Sequence, residues 1–329
     1  MYLSGFGGFG PGSCSARHSV ARTHPGEPVS FRTFLPIFVL VLGLTSPAAG
    51  QTDTSANVLG YELPGMLNAT VRRGLTYRTV TDNGATRALT MDVYRPPGPS
   101  PERRPALIFV HGGLVARQAG PLPTTWPTYR SWGRLATAAG LVGVVFNHRM
   151  TTDENIAEAA SDVTTAVDYV RANAAMLGID TDKLCVAVYS AGGPLASVFM
   201  REGTPRIRCL VLFYPYLDLE HMRVQSPFRP AHPAAHVDSL VPRYSPAHLV
   251  TVAPGSQPPI FLAMAGGDAI PRLNESIERF MRAAVASRVE IDFALHRLGV
   301  HGFDQRNHDA RTREILERML AFVTRHLRD

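Results

Sequence analysis

The stretch from Leu184 to Gly193, Leu-Cys-Val-Ala-Val-Tyr-Ser-Ala-Gly-Gly, limits what this chain can fold into more than any other. Leu184 to Tyr189 is an apolar run of strand character that stops at Ser190. Two glycines follow almost at once, and Pro194 to Met200 reads as a helix. A strand turned sharply into a helix through Ser-x-Gly-Gly forces the serine into strained backbone geometry and pushes its Oγ out at the carboxyl end of a sheet. Small residues must flank it so that strand and helix can approach closely. The helix N-terminus adds partial positive charge beside the hydroxyl. Pro194 is tolerated because the first helical turn has no intrahelical partner for its missing N–H. The usual pattern has glycine two residues before the serine, and Val188 stands there. A buried strand ending in an incidental serine turn is the bland alternative, which the rest of the chain has to decide.

Around this stretch, strands and helices alternate. Residues 71–80 and 87–95 have strand character with Asp82-Asn83-Gly84 between them, an opening hairpin. A proline-rich connector leads into Ala106 to His111, a continuous apolar run of the kind that fills the middle of a parallel sheet. Further strands are expected at 141–147, 209–214, 259–264 and 289–298. A helix is predicted over about 154–177 from the three- and four-residue spacing of Ile156, Ala159, Val163, Val167, Val170 and Ala174, and an amphipathic helix closes the chain. Repeating β-α units predict an α/β fold, a mostly parallel central sheet flanked by helices on both faces. Residues 222–258 break the rhythm, with seven of the 26 prolines and no clear period. A connection that long is either a cap over a site or a surface excursion.

The 329 residues, 45% of them hydrophobic, suffice for one large α/β domain. The net charge of +6 does not point to nucleic acid. All but one of the 33 basic residues are arginine, Lys183 being the exception, and they are scattered without an aromatic-interleaved stripe. The three cysteines have no metal-ligand spacing, so no metal site is expected. Arg32, the eleven-residue apolar run Phe34 to Leu44 and the small residues up to Gly50 read as a secretory signal peptide cleaved near Gln51. The run falls short of the ~20 residues that span a bilayer, so the mature chain is expected to have no membrane span and to be secreted or periplasmic. The signal begins late, which suggests a translation start downstream of Met1, near Val20 or Val29. The expected organisation is a 1–50 extension and signal, a 51–70 connector and a 71–329 catalytic domain. Export would allow Cys185 and Cys209 to pair, yet adjacent parallel strands rarely suit a disulfide, and two buried free thiols are expected.

A serine hydroxyl becomes a nucleophile only beside a base, and the base needs an orienting carboxylate. In an open parallel sheet both must come from loops at the carboxyl ends of strands. Asp268, in Ala265-Gly-Gly-Asp, follows the 259–264 strand, and His301, in a glycine-flanked turn, follows the 289–298 strand. His296 and Asp292 fall within that strand, and Asp304 follows His301 too closely to reach behind the ring. Gly112 and Gly113 end the 106–111 strand, where backbone N–H groups, with that of Ala191, would meet a developing oxyanion. His111 is read as a structural hydrogen-bonder.

These motifs, with Leu89 to Pro96, Asn147-His-Arg149, Ile179-Asp180, Phe213-Tyr-Pro215 and Gly299-Val-His-Gly-Phe303, resemble the α/β-hydrolase superfamily over about residues 75–328. The likeness is to its carboxylesterase branch, which includes hormone-sensitive-lipase-like and acetyl- and feruloyl-esterase-like enzymes. The resemblance implies the α/β-hydrolase fold, Ser190 as nucleophile, His301 as base and Asp268 as its orienter, a small-molecule ester as substrate, and no cofactor. The chain order Ser, Asp, His fits that superfamily. Its His-Gly-Gly-Gly reads His-Gly-Gly-Leu114 here, which leaves open which amides serve the oxyanion. Two rivals remain: a serine peptidase of the prolyl-oligopeptidase kind, and a hydrolase-like fold kept as a non-catalytic binding module.

Overall fold

The computed structural model describes residues 51–52, 56–82, 84–98, 102–113, 122–150, 153–204, 206–223 and 233–328. The expected signal peptide, Leu114 and part of the proposed cap lie outside them.

In chain order the strands are β1 (Gln51–Thr52), β2 (Thr70–Asp82), β3 (Ala85–Arg95), β4 (Arg104–Val110), β5 (Val142–Phe146), β6 (Ile179–Tyr189), β7 (Cys209–Phe213), β8 (Ile260–Ala265) and β9 (Ile291–His296). The helices are α1 (Pro127–Ala138), α2 (Ile156–Ala172), α3 (Ala174–Leu177), α4 (Ala234–Tyr244), α5 (Pro246–Val252), α6 (Leu273–Ala286), α7 (Phe303–Arg306) and α8 (Ala310–Arg328). The described strands form one sheet in the order β1-β2-β3-β5-β4-β6-β7-β8-β9. The β2–β3 hairpin is antiparallel, β3 pairs antiparallel with β5, and every pair from β5 to β9 is parallel. β4, β5 and β7 are apolar along almost their whole length and buried on both faces, as strands covered by helices must be. This is the expected α/β architecture.

The strand order places the site. From β4 the chain goes out to β5 on one side and returns to β6 on the other, so the winding reverses between β4 and β6. Beyond the carboxyl ends of strands at such a switch point the connections diverge and leave a crevice. Gly112 and Ser190 meet at that point.

Four expectations change. The helix expected over 154–177 breaks at Asn173 into α2 and α3. The helix after Ser190 is a 3-10 helix, Ser190–Phe199. Most of 233–258 is helical, in α4 and α5: Val237, Leu240 and Val241 of α4 are buried at helical spacing. Prolines hid this, because Pro233 caps α4 and Pro246 opens α5 rather than breaking them. Finally, Cys185 and Cys209 are joined by a disulfide where free thiols were expected. They are direct register partners on β6 and β7 with Cα atoms 4.7 Å apart, inside the span a disulfide bridges.

The 56–70 connector is packed on the domain, with Leu59, Met66 and Ala69 buried and the Gly60 N–H donating to the Asp304 carbonyl at 2.7 Å. No helix among the described residues is long and apolar enough to cross a membrane.

Candidate active site

β6 ends at Tyr189, and Ser190 follows with φ at +49°, a left-handed conformation that L-residues adopt only under constraint. The constraint is close packing. A Cβ on Gly192 would come within 2.7 Å of the His111 carbonyl oxygen, and one on Gly112 within 2.7 Å of the Ser190 Cβ. Val188 is buried in the sheet, and its Cγ1 lies 3.5 Å from where a Cβ on Gly192 would stand, an ordinary van der Waals separation.

Three side chains from three loops converge on this turn. The Ser190 Oγ and the His301 Nε2 are 2.7 Å apart, and the His301 Nδ1 and the Asp268 Oδ2 are 2.6 Å apart. An ionised carboxylate only accepts, so Nδ1 carries the proton and Nε2 is left to accept from the serine hydroxyl. The Asp268 side chain is fully buried, and its other oxygen accepts from the Ile270 amide at 2.9 Å. The Gly267 N–H donates to the Gly299 carbonyl at 2.8 Å, tying the aspartate loop to the histidine loop. This chain of hydrogen bonds can draw the proton from Ser190.

The competing residues are engaged elsewhere. His296 is buried, with its Nε2 3.1 Å from both the Asp309 Oδ1 and the Thr312 Oγ1. Asp292 pairs with Arg318. Asp304 is fully buried and accepts from the Tyr214 hydroxyl at 2.7 Å and the Trp132 indole N–H at 2.9 Å. Burial raises its pKa against those two hydrogen bonds. The Tyr214 ring, at a residue with φ +38°, meets the His301 ring edge-on with centroids 4.8 Å apart.

Below the expected oxyanion strand, His111 lies flat on His148, with ring centroids 3.5 Å apart and planes within 2°. The His148 backbone N–H donates to the His111 Nε2 at 3.3 Å. Burial lowers the pKa of His111 from 6.5 to about 4 and that of His148 well below 6.5, so both rings are neutral. His111 is thus the structural hydrogen-bonder expected. Gly112 has a different engagement: its N–H donates to the Tyr129 hydroxyl at 2.6 Å and is not offered to the crevice.

Two cavities open on Ser190 and His301. One, of about 650 Å³, is largely apolar, with Ala191, Tyr216, Ala269, Ile270, Pro271 and Leu273 in its wall. The other, of about 190 Å³, has Gly112, Gly113, Trp126, Tyr129 and Gln305 in its wall. No described residue of 222–258 lines either one. Trp126 and Tyr129 line the small cavity, whereas the apolar wall of the large one comes mainly from the segment directly after Asp268. The only sign of it in the sequence is the run Ala269-Ile-Pro, too short to be distinctive. No group of His, Cys, Asp and Glu that could hold a metal occurs among the described residues.

Comparison with known proteins agrees with this fold. Residues 91–258 match the BD-FAE family. The chain is similar to the ethyl acetate hydrolase of Pseudomonas putida, 27% identical over 199 residues, and spans 59% of that enzyme's length and 53% of its own. Among solved structures it resembles the thermophilic esterase Est2 of the planctomycete Thermogutta terrifontis (23% identity, TM-score 0.60, 80% of this chain and 94% of that one). A truncated carbohydrate esterase from gut microbiota is similar at 18% identity and TM-score 0.60, over 79% of this chain and 97% of that one. The chain has the α/β-hydrolase fold and belongs to the BD-FAE family.

Proposed function

We propose that this chain is a serine carboxylic-ester hydrolase that works through an acyl-enzyme on Ser190. The observation that carries the proposal is the unbroken hydrogen-bond chain from Ser190 through His301 to Asp268. His301 Nε2 takes the hydroxyl proton as Ser190 Oγ bonds to the ester carbonyl carbon. The carbonyl oxygen becomes anionic. The tetrahedral species then collapses, the alkoxide leaves with the proton from His301, and the acyl group stays on Ser190. Water, activated by the same imidazole, repeats the sequence and frees the acid. Asp268 holds the ring in the required tautomer and stabilises the imidazolium. The mechanism calls on no metal or organic cofactor.

The large cavity suits the apolar part of a small ester, and the small cavity limits the group on the other side of Ser190. The Pseudomonas putida relative is named for ethyl acetate, which agrees with short esters. An assembled triad argues against a non-catalytic module. We further propose export, with a mature N-terminus near Gln51. The basic flank and apolar run before it support this, as does the Cys185–Cys209 disulfide, a bond that persists in oxidising compartments.

A p-nitrophenyl ester panel of graded acyl length on the mature protein is expected to show turnover that Ser190→Ala abolishes without unfolding the chain. A fluorophosphonate should label the wild type and not the variant, much as the Thermogutta esterase is phosphoramylated by tabun. Labelling retained in Ser190→Ala would overturn the assignment, and N-terminal sequencing of the exported protein checks the cleavage site.

A further inference from the structure

Tyr129 sits on α1, is buried, and shares the wall of the small cavity with Ser190. Its hydroxyl oxygen accepts the Gly112 N–H at 2.6 Å. Its own hydrogen has no acceptor among the described residues. A buried hydroxyl donor without a partner is costly, and in a native structure it needs a reason. Here the donor belongs to a residue that lines the same small cavity as Ser190, and the Gly112 amide is engaged by Tyr129. We propose that the Tyr129 hydroxyl is a catalytic donor to the oxyanion, acting with the amides of Ala191 and Gly113. The inference rests on the serine-hydrolase reading above and extends it by one residue.

The chemistry is consistent. When Ser190 Oγ bonds to the carbonyl carbon, the carbonyl π pair moves onto oxygen and the serine proton goes to His301. Tyr129 donates a hydrogen bond to that oxygen and keeps its proton throughout, so no proton or electron is left unaccounted for. Accepting from Gly112 polarises the tyrosine O–H and makes it a better donor, because chained hydrogen bonds reinforce one another. Burial raises the pKa of the phenol, so it remains protonated wherever the enzyme works.

The test compares Tyr129→Phe with an enzyme carrying 4-aminophenylalanine at position 129. Phenylalanine removes both the donor and the acceptor. The aniline restores a donor but is a poor acceptor for Gly112. If Tyr129 donates to the oxyanion, Tyr129→Phe should lower kcat on p-nitrophenyl butyrate on the order of 100-fold with KM nearly unchanged. Affinity for a trifluoromethyl ketone, to which Ser190 adds to form an alkoxide, should fall by a similar factor, and the aniline should restore most of both. The proposal is overturned if Tyr129→Phe stays within about twofold of wild type, or if the aniline enzyme is no better than the phenylalanine one. The second result would mean that Tyr129 only holds the turn. Should Tyr129→Phe not fold, the aniline enzyme against wild type decides: ketone affinity largely kept supports donation, and its loss in a folded protein refutes it. Ser190→Ala is run in parallel. Turnover surviving there would sink the triad reading itself, whereas an inactive Ser190→Ala with an active Tyr129→Phe removes only Tyr129.

Discussion

The Tyr214 hydroxyl donates to the Asp304 carboxylate at 2.7 Å, and through that bond the turn carrying His301 is fastened to the end of β7. Asp304 lies three residues beyond His301, and its second oxygen is held by Trp132 of α1. One buried carboxylate therefore joins α1, the β7 end and the histidine turn. It does not reach the imidazole itself.

Removing that carboxylate strands two buried donors. Asp304→Ala is expected to cost about 2–5 kcal/mol of stability, read as a lower urea midpoint. Turnover should fall as well, because His301 loses the support under its turn. Asp304→Asn keeps one acceptor and should lie between wild type and alanine in both measurements. Equal stability of Asp304→Ala and wild type would remove Asp304 from this role.

The base assignment separates two histidines in neighbouring positions. His301→Gln is expected to be inactive, while His296→Gln should keep most of the activity because its ring is bonded to Asp309 and Thr312. Asp268→Asn should lower kcat by up to about 10⁴-fold with KM little changed, since the amide favours the wrong tautomer. Steady-state kinetics on p-nitrophenyl acetate decide both. An inactive His296→Gln beside an active His301→Gln would reverse the assignment.

The stacked histidines predict acid lability. Burial lowers the pKa of His111 from 6.5 to about 4. Below pH 6.5 the unfolded chain binds a proton that the folded chain refuses, so stability is present above 6.5 and is lost as pH falls towards 4. The loss is on the order of 3 kcal/mol for this group, and His148 acts in the same direction. Asp304, whose pKa is raised, works in the opposite sense, so the comparison must be between variants. The drop in urea midpoint from pH 7 to pH 5 should be smaller in His148→Gln than in wild type. Identical slopes would show that the stack does not set the acid limb.

The disulfide closes a loop with a sequence separation of 24 residues. In the chain-entropy account, a loop of that length stabilises the fold by about 3.5 kcal/mol. The Cys185→Ala/Cys209→Ala double variant should fold and melt several degrees lower, and non-reducing peptide mapping of the wild type should recover the two cysteines as one linked peptide. Recovery of separate thiol peptides from native protein would contradict the bond.

What the sequence determined by itself was whatever is carried by near neighbours. An apolar run ending at a serine with two glycines behind it specifies a strand, a strained turn and a helix start from ten consecutive residues. Asp268 and His301 were legible for the same reason, since each follows a strand-like run in a glycine-rich turn. The α/β alternation, and hence the parallel sheet, came from spacing alone. Tertiary structure decided everything that depends on which distant residue arrives where. Tyr129 meets Gly112 across 17 residues, Tyr214 meets Asp304 across 90, and Trp132 meets Asp304 across 172. No local pattern announces such partners, because strand order and helix placement choose them. The Cys185–Cys209 bond shows the boundary most sharply. Both cysteines were visible at the starts of successive strands, but whether their sulfurs could meet depended on register, and a shift of one residue would have turned them to opposite faces of the sheet.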